Sequence, residues 1–461
     1  MDLPIKDSAT TAPKLPVSNP IKPYWERKTT HVLANHRSTP DLPTECDVLI
    51  IGVGYAGVSA AYNLLKTNPS MSIALLEARS VCSGATGRKG GHLRPDLYEQ
   101  IPKYIQRYGV DAGVQWAEFE LANMEAIREL IAEARIDCDF TPTRSTDTWL
   151  SDEGAKTAKA AYDLLVSLQV RYTNTIDFVY GSDQDGIVKG VKASATYEAA
   201  SLDPYKFILA LLQRVLEMGK QVNLQTHTPA TALHEDSVNG GWIVDTPRGS
   251  IKAKKIVHAS NAYVSTLLPE YTKSIIPCKG ICTHVAVPEG QSGATLTNLY
   301  IIRDAAGVLS YLIPLSGGEG VIVGGSSRLF RPYPQQWYNN VDDSTLIEAS
   351  SGFFDNFMQR TFNGWEDSNA YVKEAWTGVM GYSFDSLPHL GEVPGKSGQY
   401  IVAGFNGHGM PVIWLAAKGI AEMIATDRAY EDVKYLPSIG KTTVDRIRTA
   451  QEGQDGGDIF N

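Results

Sequence analysis

Gly52, Gly54 and Gly57, with the carboxylate Glu77 further on, are the residues whose spacing most directly implies a binding chemistry. In Gly52-Val53-Gly54-Tyr55-Ala56-Gly57 the first glycine permits a tight turn. The second lets a pyrophosphate approach the backbone, and the third lets a helix pack on the preceding strand. A carboxylate about 20 residues beyond accepts ribose hydroxyls in such a site. An acid there also disfavours a 2′-phosphate, so NADP suits it least. The elements that must position these residues are legible around them. Val48 to Ile51 is an apolar run suited to a strand buried on both faces, Ala56 to Lys66 predicts a helix, and Ser72 to Leu76 predicts a second strand.

Two other glycine-rich stretches invite the same reading. Ser83-Gly84-Ala85-Thr86-Gly87-Arg88-Lys89-Gly90-Gly91-His92 predicts extended backbone lying along a cofactor, with N–H groups free for it. Tyr400 to Pro411 contains Gly404-Phe405-Asn406-Gly407-His408-Gly409-Met410 and runs from an apolar strand into a helix predicted over 412–425. Pro411 is expected at its first position, where a missing N–H costs nothing. The positive end of that helix suits a ring that gains negative charge on reduction. Lys255 to Ala262 predicts a buried strand whose tip, Ala259, Ser260 and Asn261, meets a cofactor.

The 461 residues suffice for two or three domains, and the composition is that of an ordinary globular protein. A formal charge of -9 argues against nucleic acid and anionic membrane as partners. Five cysteines at 46, 82, 138, 278 and 282 form neither a disulfide framework nor a zinc pattern, so structural thiols, a reducing compartment and no metal site are expected. No stretch approaches the ~20 apolar residues of a membrane span, and neither end shows a recognisable targeting signal, which gives a cytoplasmic location as the expectation.

Residues 1–44 predict an extended polar arm in which Tyr24 and Trp25 could anchor the second half. Helices are predicted within 99–134, over 152–168, after the Asp203-Pro204 cap and over 346–357, with a strand or hairpin over 181–193. Trp242 to Val244 and Ile251 to Ala253 predict a small antiparallel pair, and short strands over 280–287, 299–303, 309–313 and 320–324 predict an antiparallel sheet.

Together these stretches, with Trp376-Thr377-Gly378-Val379-Met380-Gly381 through Asp385, Pro388 and Gly391, resemble the D-amino-acid-oxidase-like superfamily of FAD-dependent oxidoreductases over about residues 45–430. Within it the chain is most similar to the γ-glutamylputrescine oxidoreductase-like branch. The resemblance implies an α/β, two-domain fold of the glutathione-reductase type: a Rossmann-like FAD-binding domain and a mixed antiparallel-sheet substrate domain. The former would span 45–98, 195–273 and 374–430, and the latter 99–194 and 274–373, leaving 431–461 as a tail. It implies non-covalent FAD, because no cysteine follows Cys282 where sarcosine-oxidase-like relatives attach theirs. Pyrophosphate would lie at Gly52 to Gly57, ribose at Glu77 beside Ala78 and Arg79, and adenine near Thr228 and Pro229. The flavin would lie against Arg88 to His92, with Gly378 and Asp385 near it and its pyrimidine edge by Gly407 to Met410.

The activity so implied is oxidation of the C–N bond of a small amine or amino acid by hydride transfer to flavin N5. The resulting imine hydrolyses to a carbonyl, and oxygen or another acceptor reoxidises the flavin. Relatives carry an oxygen-activating lysine where this chain has Val321, Ile322 and Val323, and a carboxylate-fixing lysine near Pro411. A dehydrogenase with a non-oxygen acceptor, a non-catalytic flavin-binding subunit and an NAD enzyme therefore stand as alternatives, and monomer and homo-oligomer are both open. Candidate substrate-pocket residues are His92, Tyr311, Arg328, Trp376 and Lys279: aromatic walls for an amine, and Arg328 for a carboxylate.

Overall fold

The computed structural model describes residues 15–181, 186–454 and 456–460. The first fourteen residues of the arm and part of the predicted 181–193 hairpin lie outside the described residues.

Two sheets organise the chain. In the first, the strand Glu45–Ile51 lies between Ile73–Leu76 and Gly249–His258 and is parallel to both. Val222–Gln225 extends one side and Gln399–Ala403 the other, again in parallel, with His389–Glu392 as an antiparallel edge. Their apolar runs are buried because helices cover the sheet. Tyr55–Thr67 crosses from the first strand to the second and packs against Pro204–Met218 and Ile413–Thr426. Asp203 caps the middle one of these by accepting the N–H groups of Tyr205 and Lys206 at 2.9 and 3.0 Å, with Pro204 at its first position.

The second sheet is mixed. Its order is Tyr371–Ser383, Ile275–Ala286, Val321–Gly325, Leu309–Pro314, Leu299–Arg303, Thr141–Trp149, Ala193–Ser201 and His92–Leu93, with Asp177–Tyr180 added on Ala193–Ser201. One pair, Leu299–Arg303 with Thr141–Trp149, is parallel and the others are antiparallel. The bounds predicted at 194/195 and 373/374 fall inside single strands of this sheet.

Four local predictions need correction. Residues 346–357 form no continuous helix: Gly352 at φ +73° and Asn356 at φ +52° turn the chain, leaving a 3-10 turn at Glu348–Ser350 and a short helix at Phe357–Thr361. Phe354 and Phe357 pack together in the core despite the break, their ring centroids 6.4 Å apart. Residues 83–92 are not extended throughout, since Ala85–Arg88 makes one helical turn. The segment at 251–253 pairs antiparallel with 242–244 as expected but runs on without a break into the one predicted over 255–262, and the joint strand Gly249–His258 ends before the 3-10 helix Asn261–Thr266. Pro411 precedes the cap of its helix, which starts at Ile413 after Val412. The side chain of Asn123 does the capping, accepting the Leu415 N–H at 2.8 Å and donating to the Met410 carbonyl at 3.0 Å.

The arm is tied to the body. Tyr24 and Trp25 are buried, and the Trp25 indole donates to the Lys89 carbonyl at 2.7 Å. Beyond residue 430, the helix Val444–Glu452 is held by Arg446, whose guanidinium donates to both oxygens of Asp385 at 2.6 and 2.8 Å. No helix among the described residues is long and apolar enough to cross a membrane.

Candidate functional site

A cavity of about 710 Å³ runs from the carboxyl ends of the first sheet's strands to the face of the second sheet. Such a crevice is where parallel sheets bind ligands. At the near end Gly52 has φ +101°, and a Cβ there would meet the Ala259 carbonyl oxygen at 2.7 Å. A Cβ on Gly57 would meet the Gly52 oxygen at 2.0 Å, so the helix packs as closely on the turn as the spacing predicts. Gly54, Tyr55 and Ala56 border the cavity, and the Tyr55 N–H donates to Thr86 Oγ1 at 3.2 Å.

Glu77 also borders it, with each carboxylate oxygen already accepting one backbone N–H, from Val53 and from Arg79, at 2.9 Å. Each oxygen keeps acceptor capacity for a ribose hydroxyl. Burial raises its pKa, and those two N–H groups with the Arg79 charge work against the rise. Ala78, Pro229, Ala259, Ser260 and Asn261 line the same end. Thr228 sits behind it, donating its N–H to the Glu77 carbonyl at 2.8 Å.

Gly84, Ala85, Thr86, Arg88, Lys89 and His92 line the middle. Arg79 and Arg88 are anchors: Arg79 is bidentate to Asp343, and Arg88 donates from Nε to the Thr377 carbonyl at 2.6 Å. Ser83, Gly90 and Gly91 lie behind the lining, and a Cβ on Gly90 would strike Ile313 at 2.6 Å. Gly378 lines the cavity packed against Arg88, where a Cβ would come within 3.1 Å of Arg88 Cβ. Asn406, Gly407, His408, Gly409 and Met410 line the far wall; Gly404, at φ +82°, stands behind them. Asp385 is outside the lining and is spent on Arg446.

Of the predicted substrate-pocket residues, the structure brings together His92, Tyr311 and Lys279. The rings of His92 and Tyr311 are 5.4 Å apart, and Lys279 donates to Thr345 Oγ1 at 2.9 Å. Burial, then the Lys89 charge, pushes the His92 pKa well down. The structure places the other two elsewhere. Trp376 is fully buried behind the lining, where its indole donates to the Arg88 carbonyl at 2.8 Å. Arg328 is exposed on the short helix Ser327–Phe330, outside the cavity.

Sequence reasoning missed a charged group at the far end. Asp147, fully buried, accepts from Arg94 at 2.9 Å and from the Tyr98 hydroxyl at 2.7 Å; Arg303 lies 4.0 Å away and over the Trp149 ring. Arg94 and Arg303 border the cavity, and Arg94 Nε and Arg303 Nη1 are buried without hydrogen-bond partners. The one signal was an aspartate inside the strand Thr141–Trp149. Beside this group His408 Nε2 meets Glu120 at 2.8 Å, and Glu120 also accepts the Trp116 indole at 2.8 Å and the Asp96 N–H at 2.7 Å. Burial opposes the imidazolium of His408, but Glu120 outweighs it and raises the pKa. Asp96 is pushed up to about 6 by burial and by Glu99 and Glu120. Among the described residues no group of three or more His, Cys, Asp or Glu is placed to hold a metal, and no disulfide joins the five buried cysteines.

The glycine cradle at a strand end, the ribose acceptor and a long cavity reaching a second sheet define a dinucleotide-dependent oxidoreductase. Buried polar atoms still without hydrogen-bond partners, Arg88 Nη1 and His92 Nδ1 among them, fit a large polar cofactor held by hydrogen bonds. The chain belongs to the FAD dependent oxidoreductase family, whose model matches residues 47–423. It is an enzyme of that family, and FAD is its cofactor. It is 24% identical over 424 residues to gamma-glutamylputrescine oxidoreductase of Escherichia coli (strain K12), covering 87% of this chain and 89% of that one. The fold is shared with glycine oxidase from Geobacillus kaustophilus, at TM-score 0.68 and 18% identity over 87% of this chain and 99% of that one. L-proline dehydrogenase from P. horikoshii gives TM-score 0.67 and 20% identity over 87% and 100%.

Proposed function

We propose that the protein oxidises the C–N bond of a small amine that carries a carboxylate. The observation that carries this reading is the pair Arg94 and Arg303. Both border the cavity, both are fixed by buried acids or rings, and each keeps a buried N–H with no hydrogen-bond partner, that of Arg303 standing 4.0 Å from Asp147. A substrate carboxylate satisfies those donors, and leaving them unpaired is costly. His92 and Tyr311 form an aromatic wall beside them for the amine end. A relative named for γ-glutamylputrescine supports an amine substrate.

FAD supplies the acceptor for the hydride leaving the carbon next to the neutral amine. The chain's own residues bind and orient the substrate and exclude water, and the imine produced hydrolyses to a carbonyl and an amine. His92, held neutral by burial, fits the uncharged amine that hydride loss requires.

The test is anaerobic mixing of the flavin-loaded protein with matched pairs, an amino acid and the amine it becomes on decarboxylation. The amino acid should bleach the band near ~450 nm and its partner should not. Equal bleaching by both would remove the carboxylate from the reading. No bleaching by any amine or amino acid would remove C–N oxidation.

A further inference from the structure

Among the described residues, two lysines of the cavity lining, Lys89 and Lys279, enter no ion pair; Lys279 still feels the charges of Asp342 and Asp343, whereas no carboxylate acts on Lys89. Its Nζ donates to the His92 carbonyl at 2.6 Å and enters no ion pair among the described residues. The neighbouring guanidiniums differ: Arg79 and Arg88 share Asp343, Arg94 has Asp147, and Arg303 has Glu99. The groups that act to raise the Lys89 pKa are the thiols of Cys82 and Cys282, and burial keeps both protonated, Cys282 with its pKa at about 11. With nothing opposite it, burial lowers the Lys89 pKa to about 7. A buried ammonium without a counter-charge is strongly unfavourable unless a ligand brings one.

The backbone around Lys89 is held on both sides. Trp25 holds its carbonyl, and Gly90 packs under Ile313 and Tyr311. The ammonium therefore stands where the first sheet's half, at Cys82, meets the second sheet, at Cys282, along the stretch that lines the middle of the cavity. A substrate carboxylate already has Arg94 and Arg303 at the far end. The pyrophosphate has the glycine turn at the near end. An FAD bound with its pyrophosphate at the near end would lay its ring along this stretch, and that ring becomes anionic only when reduced.

We propose that Lys89 is a catalytic residue whose ammonium is the fixed counter-charge for the reduced flavin ring. This rests on the FAD-dependent reading above. A charge already in place costs no reorganisation at the moment of reduction, which raises the potential and favours uptake of the hydride pair.

The experiment compares wild type with K89Q, which keeps a donor for the His92 carbonyl but not the charge, and with K89R, which keeps the charge. Each is purified with FAD, its two-electron potential is measured against a reference dye, and it is titrated with sulfite, which forms an anionic adduct with oxidised flavin. K89Q should lose about tenfold in sulfite affinity and about 30 mV in potential, the equivalent of tenfold for a two-electron couple. K89R should stay near wild type. If K89Q does not retain flavin, K89M is measured the same way.

A charge-free variant that holds FAD with wild-type potential and sulfite affinity overturns the proposal. So does one that loses FAD affinity while its potential stays put, since the anion met by Lys89 would then be the pyrophosphate. A wild type that retains no flavin would overturn the cofactor reading and this proposal together, which is a different result from either.

Discussion

Asp343 accepts from both terminal nitrogens of Arg79 at 3.0 Å each, while Nε of Arg88 lies 3.4 Å from the same carboxylate. Asp343 also accepts the Ile21 N–H on its backbone carbonyl at 3.0 Å. One residue thus joins the strand end that bears Glu77, the stretch that lines the middle of the cavity, and the arm. Its side chain is 1% exposed, so the three charges are buried together.

Asp343→Asn leaves two buried guanidiniums facing an amide. Breaking a buried pair from one side costs about 3–5 kcal/mol. We expect a loss of that order in urea unfolding, with faster release of FAD. A variant within about 0.5 kcal/mol of wild type would show that this cluster is dispensable.

Gly57→Ala puts a methyl 2.0 Å from the Gly52 carbonyl oxygen, and neither atom belongs to a side chain that can swing away. The helix must lift from the turn, and the pyrophosphate then loses its cradle. We expect at least about tenfold weaker FAD binding, equivalent to 1.4 kcal/mol, measured by flavin fluorescence on dilution. Unchanged affinity would mean that the cofactor does not depend on this close approach.

His408 and Glu120 predict a pH dependence. The folded-state pKa of His408 is raised, so its contribution to stability is complete below the ordinary histidine value of about 6.5 and is lost as pH rises through the folded value. The His408 contribution to the melting temperature should therefore fall with pH from about 6.5 upward. Lys89, with its folded pKa lowered to about 7, contributes in the opposite direction above that, so the comparison with a variant that changes the titration of His408 alone carries the test. Glu120→Gln should flatten that slope. Asp96, at about 6, titrates mostly below this window. Parallel slopes for variant and wild type would mean that Glu120 does not hold the imidazolium.

The strand, turn and helix at 45–67 and the cap at Asp203-Pro204 were legible because their causes are local: a glycine where only glycine fits, and a side chain reaching N–H groups two or three residues away. Where local signals misled, distant residues were deciding. Residues 346–357 read as one helix, but Gly352 and Asn356 at positive φ turn the chain while Phe354 and Phe357 pack together in the core. Trp376 and Arg328 had suitable chemistry for a substrate wall. Burial put the first behind the lining and left the second in solvent.

The sequence by itself determined that a dinucleotide would lie at the end of a parallel strand, because a G-x-G-x-x-G turn and its acidic partner are built within one run of about thirty residues. Only the tertiary structure decided which charges meet. Asp343 reaches Arg79, Arg94 reaches Asp147, and Lys89 is left alone with the carbonyl of His92. The first two pairs join residues far apart in the chain, and an empty place beside a lysine is visible only once everything around it has been packed.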